Sequence, residues 1–80
     1  MSPMLAQILR EARRKKGWRV PYLSKRSGVS WWVIEQIEDE STSYLPSEGD
    51  TALLEQALRM PVGSLLGERD RLVERLPHRA

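Results

Sequence analysis

Ser27-Gly28-Val29-Ser30-Trp31-Trp32-Val33-Ile34-Glu35-Gln36-Ile37-Glu38 reads as the end of one helix, a tight turn and a second helix. Gly28 permits a positive φ between two short helices at little steric cost, and Val29 plugs the angle between them. Ser30 is placed to cap a helix over residues 30–38. At about 100° per residue, Ile34 and Ile37 share one side of that helix while Trp32 and Gln36 point the opposite way. Trp31 and Glu35 flank the outer side. Two isoleucines already anchor the helix, so an outward tryptophan is not explained by the interior of a monomer.

Upstream, residues 20–27 form the preceding helix, with Pro21 tolerated in the first turn and Leu23 facing inward. Before it, Met4, Leu5, Ile8, Leu9 and Ala12 recur at helical spacing and predict a helix over residues 3–16, with Ser2 as N-cap and Pro3 in its first position. Arg13, Arg14, Lys15 and Lys16 suit the negative end of that helix, Gly17 can take a left-handed C-terminal conformation, and Trp18 packs back on the helix. Downstream, Pro46-Ser47 starts a fourth helix with Ser47 and Asp50 as capping pair and Leu53, Leu54, Ala57 and Leu58 as its apolar stripe. A fifth helix follows Pro61. Past Gly67, Leu72, Val73 and Leu76 place an apolar stripe on a charged segment that either folds back on the domain or forms a twofold dimer seam. The expected architecture is all-α, with five helices, or six if the last segment is separate: a domain over residues 1–67 and a helical extension and tail over 68–80.

Composition narrows the class. Eighty residues suffice for one small domain, and the absence of cysteine removes disulfides and thiolate metal sites. A reducing cytoplasm fits. No apolar run approaches the roughly 18 residues of a membrane span, so no membrane association is expected. The net charge of +2 conceals a strong polarity along the chain. Up to Val29 there are eight Lys/Arg against one Glu, whereas from Ser30 to Leu58 there are seven acids and no cation. The basic part has the footprint of phosphate binding, since neutralising phosphates releases condensed counterions. The acids Glu35, Glu38, Asp39 and Glu40 are spread around the helix axis and are expected to be solvated surface, with no cation-binding loop.

These residues carry a resemblance. From about Leu5 to Leu66 the chain resembles the Cro/C1-type helix-turn-helix family, the xenobiotic-response-element group of bacterial and phage regulators. Leu23, Ser24, Gly28, Val29, Ile34 and Ile37 fall where that family has its apolar, small, glycine and apolar positions, and the run Ile34-Glu35-Gln36-Ile37-Glu38 is similar to the recognition-helix ending of lambdoid phage repressors. The segment from Leu58 to Leu66 resembles the family's closing pattern. The resemblance implies a compact Cro/C1 repressor-like domain that binds double-stranded DNA as a dimer and regulates transcription, most simply by occluding a promoter.

Carried over by position, the base-reading candidates are Trp31, Trp32, Glu35 and Gln36, with Val20 at the start of the second helix where the family often has Gln. Gln36 can bond bidentately to adenine and Glu35 can accept from the cytosine amino group, whereas an indole offers one donor and no acceptor. Candidate phosphate contacts are Ser30, Arg13, Arg14, Lys15, Lys16, Arg19, Lys25 and Arg26. The alternative function is a protein-interaction module on the same fold that uses Trp31, Trp32 and Tyr44, because aromatic anchors are typical hot spots. Enzymatic chemistry has no support in the sequence. His78 is the sole histidine, and no phosphate loop, nucleophile elbow, metal site or cofactor motif is present.

Overall fold

In the computed structural model, which describes residues 4–42 and 44–75, five helices follow in the order α1 (Met4–Lys15), α2 (Val20–Ser27), α3 (Trp31–Glu38), α4 (Glu48–Ala57) and α5 (Ser64–Arg75). Helix α1 buries Leu5, Ala6 and Leu9 and lays Ile8 and Ala12 against the same interior. Its end follows the expected chemistry. Arg13, Arg14 and Lys15 occupy the last turn, and Gly17 at φ 70° sends its N–H back to the Arg14 carbonyl at 2.9 Å.

The turn between α2 and α3 is built from small groups. Gly28 adopts φ 81° and its N–H donates to Ser24 O. The Ser24 hydroxyl donates to Val29 O at 2.6 Å, and the Val29 N–H donates to Ser27 Oγ at 3.1 Å. These bonds satisfy both the N–H and the carbonyl of Val29, which is only 1% exposed. From there α3 buries Val33, Ile34 and Ile37 against Leu23 of α2 and Leu5 and Leu9 of α1. Ser30 stands at the N-cap, yet its side chain makes no capping bond, which corrects the expectation of a side-chain cap. Its hydroxyl stays free.

Helix α4 shows a second departure. Ser47 caps it as expected, accepting from the Asp50 N–H at 3.1 Å, but the inward positions are Thr51, Leu54, Glu55 and Leu58, while Leu53 is 41% exposed. Leu54, Ala57 and Leu58 keep the expected apolar stripe, and Leu53 is the member that departs from it. Glu55 takes an inward place, and its carboxylate accepts from the N–H groups of Gly63 (3.1 Å), Leu65 (2.8 Å) and Leu66 (2.8 Å). A buried carboxylate with three backbone donors is stable, and these donors lead into or open α5, whose first turn has no acid of its own. Helix α5 runs through Gly67 without a break and returns Leu65 and Leu72 to the core. Arg69 ties it to the loop before α4 by donating to Pro46 O at 2.9 Å.

Candidate nucleic-acid interface

Helix α3 presents the outer face that its helical phase demands. Trp31 and Trp32 are 56% and 51% exposed, Glu35 is exposed and Gln36 is half-buried. The Trp32 ring meets Tyr44 edge-on with centroids 6.3 Å apart, so Tyr44, half-buried against the core, braces one of the two indoles. Val20 lies inward, packed against the core, and Leu23 and Val29 complete the seat under the turn.

The far end of α3 is fixed by charge. Glu38 is buried, which corrects its expected place on the solvated surface. Arg13 meets it bidentately, Nε to Oε2 and Nη2 to Oε1, both at 2.8 Å, and the third arm of the same guanidinium donates to Trp18 O at 2.8 Å. Arg10 adds a bond to the Glu38 carbonyl and pairs with Glu40 at 3.4 Å. Hydrogen bonding to Glu38 raises the Arg13 pKa above its already high ordinary value. Arg13 therefore leaves the group of free phosphate-binding cations: its donors hold the recognition helix onto α1. Asp39, just past the helix, accepts from the Ser41 hydroxyl (2.6 Å) and N–H (2.9 Å), and these bonds hold its carboxyl below the ordinary range.

The remaining candidate cations stay available. Arg14, Lys15, Lys16, Arg19, Lys25 and Arg26 are all exposed, and no ion pair among the described residues engages them. Two of them are organised around an aromatic residue. Lys16 Nζ lies 5.5 Å and Arg26 Cζ 5.8 Å from the Trp18 ring centroid, and Tyr22 meets that indole edge-on at 5.1 Å. Trp18 thus has two functions: it closes the end of α1 and organises two cations. Sequence reasoning missed Arg10, Glu38 and Tyr22 as parts of this surface. Only Glu38 had a local signal, since it stands four residues after Ile34 and so shares the buried side of α3.

Among the described residues no group of three or more His, Cys, Asp or Glu side chains is arranged to hold a metal ion. His78 and Leu76 lie outside the described residues. Leu72 folds back on the core, leaving Val73, 40% exposed, on the outer side of α5. No helix among the described residues is long and apolar enough to cross a membrane.

Two short helices joined at a left-handed glycine, the second held at its far end and exposed along its outer face, define a helix-turn-helix domain of the DNA-binding class. A model of the helix-turn-helix domain family matches residues 8–61, most of the chain, and the protein belongs to that family. The match covers the Arg13–Glu38 pair, the α2–α3 turn and all of α4. Comparison with curated proteins and with solved structures gave no match.

Proposed function

We propose that the protein is a small sequence-specific transcriptional regulator of the Cro/C1 type that acts as a repressor in the cytoplasm by placing α3 in the major groove of its operator. The observation that carries this is the exposed outer face of α3 beside six uncompensated cations. Gln36 reads adenine and Glu35 reads cytosine through their amide and carboxylate, while Trp31 and Trp32 pack on thymine methyl groups. The free hydroxyl of Ser30, with Arg14, Lys15, Lys16, Arg19, Lys25 and Arg26, engages phosphate. The role is binding, without catalysis or cofactor. On DNA, two copies read half-sites about 34 Å apart, paired through the exposed Val73 of α5.

Selection of bound sequences from random duplexes tests this, repeated with Trp32→Ala and Gln36→Ala. Each variant should lose base preference at its own position. Six phosphate contacts give a salt slope of about −5, so affinity should fall roughly 10³-fold between about 50 and 200 mM salt. Micromolar binding that ignores both sequence and salt would remove the proposal.

A role as a protein-interaction module has its own supporting observation. The Trp32–Tyr44 pair is already assembled at the surface, with Trp31 exposed beside it, which suits an aromatic anchor.

A further inference from the structure

The outer face of α3 is chemically a receptor for cations. Indole rings attract ammonium and guanidinium groups, and carboxylates at their edge do the same. Trp31 and Trp32 are more than half exposed, with Glu35 one turn on from Trp31 and Asp39 just past the helix, both exposed. Asp39 is held in its charged form by Ser41. Both cation–π contacts among the described residues fall on Trp18, and none of those residues places a cation over the α3 indoles.

A matching surface exists on the same protein. The end of α1, helix α2 and the connection between them expose Arg14, Lys15, Lys16, Arg19, Lys25 and Arg26, and no ion pair among the described residues uses any of them. Pairing between the basic and acidic parts of one chain is already provided by other residues. Arg10 and Arg13 take Glu38 and Glu40, which leaves the six exposed cations, two of them resting on Trp18, and the α3 face without an ion pair between them among the described residues.

We propose that a second copy of this chain docks its α1–α2 cations on the Trp31, Trp32 and Glu35 face of α3, in a head-to-tail contact. The two patches differ, so the contact is heterologous and each added copy leaves one patch of each kind free. It covers the helix offered to DNA and uses the cations that phosphate would take. DNA and the second copy therefore compete, and the assembly is the DNA-free form of the protein. The self-association goes beyond the operator-binding proposal and is tested without DNA; only its competition with DNA rests on that proposal.

Sedimentation velocity on the full chain without DNA provides the test. At about 0.1 M salt, where the Debye length is about 10 Å, the sedimentation coefficient should rise with protein concentration; at about 1 M, where it is about 3 Å, the chain should return to monomer. Two folded variants separate the faces: Trp31→Ala with Glu35→Lys on the acceptor side, and Lys25→Glu with Arg26→Glu on the cationic side. Each alone should weaken self-association at least about tenfold, the loss of roughly one charge-assisted contact. Mixed in equal amounts, they should form a pair that stops at two chains, since each retains the one patch that the other lacks. Three results would overturn the proposal: a wild type that stays monomeric at low salt, variants that self-associate undiminished, or a mixture that fails to pair. Loss of association in Val73→Glu alone, with the charge variants unaffected, would assign it to a twofold seam on α5 instead.

Discussion

Removing the Glu38 carboxylate should destabilise the domain more than any surface charge change. In Glu38→Ala the Arg13 guanidinium, whose side chain is only 13% exposed, keeps Trp18 O as an acceptor but loses both arms of its bidentate pair. Breaking a buried pair from one side costs about 3–5 kcal/mol, and the surviving bond places this case near about 3 kcal/mol. A chain of this size has about 4–12 kcal/mol of total stability, so the variant should melt about 12–24 °C lower. Arg13→Leu should cost less, about 2 kcal/mol, because Arg10 Nε stands 3.7 Å from Glu38 Oε1 and partly replaces the lost partner. The double variant Arg13→Leu/Glu38→Leu removes both charges together. It leaves only Trp18 O without its donor and should lie within about 1–2 kcal/mol of wild type. Urea unfolding followed by circular dichroism measures all three, with unchanged m-values confirming a common unfolded state. A Glu38→Ala loss below about 0.5 kcal/mol, or a double variant equal to the sum of the singles, would refute the coupling.

Gly28→Ala should cost about 1–2 kcal/mol in thermal unfolding although nothing lies within 4 Å of the added Cβ, because the penalty comes from φ 81° alone. Glu55→Ala strands three backbone donors and should lose about 3 kcal/mol by chemical denaturation, with Glu55→Gln less affected because one carbonyl oxygen remains to accept. Carboxyl carbon NMR should find Asp39 titrating below the ordinary range, and Ser41→Ala should move it upward without fully restoring it, since the Ser41 N–H bond survives. The sign is that of a depressed carboxylate: the stabilising contribution is present above the unfolded-state pKa and is lost as pH falls through the folded one. An Asp39 titration unchanged by Ser41→Ala would contradict the assignment of its cause.

The turn was legible because its determinants are local. Gly28, Val29, Ile34 and Ile37 lie within ten residues of one another, and helical phase alone put Trp31, Trp32 and Glu35 outside. Glu38 was misread because its partner is 25 residues away on α1, and a charge with no visible partner defaults to the surface. The α4 stripe holds at Leu54, Ala57 and Leu58 and departs at Leu53. Hydropathy places Leu53 inside and Glu55 outside, whereas the three N–H groups around the start of α5 make the buried carboxylate the better choice. The hydroxyl of Ser30 behaved oppositely: its sequence position predicts a cap, and the structure leaves it unengaged.

The acidic middle of the chain opposes DNA less than its sequence suggests. Glu38 and Glu40 are paired to Arg10 and Arg13, Glu55 is buried on backbone donors, and Glu48 stands 3.6 Å from Arg69. What remains beside the outer face of α3 is chiefly Glu35 and Asp39, against six exposed cations on α1, α2 and their connection. Those cations serve either DNA or a second copy, which makes the two activities separable by the sign of a single change. Glu35→Lys should weaken self-association while tightening non-specific DNA binding and steepening its salt slope by about 1. Lys25→Glu with Arg26→Glu should weaken both, because phosphate and the acceptor face of another copy draw on the same side chains. Fluorescence anisotropy on a random duplex, measured beside sedimentation for the same proteins, reads both signs. If Glu35→Lys weakens binding to the random duplex as well, Glu35 acts as a structural group, and DNA and the second copy do not compete through simple charge.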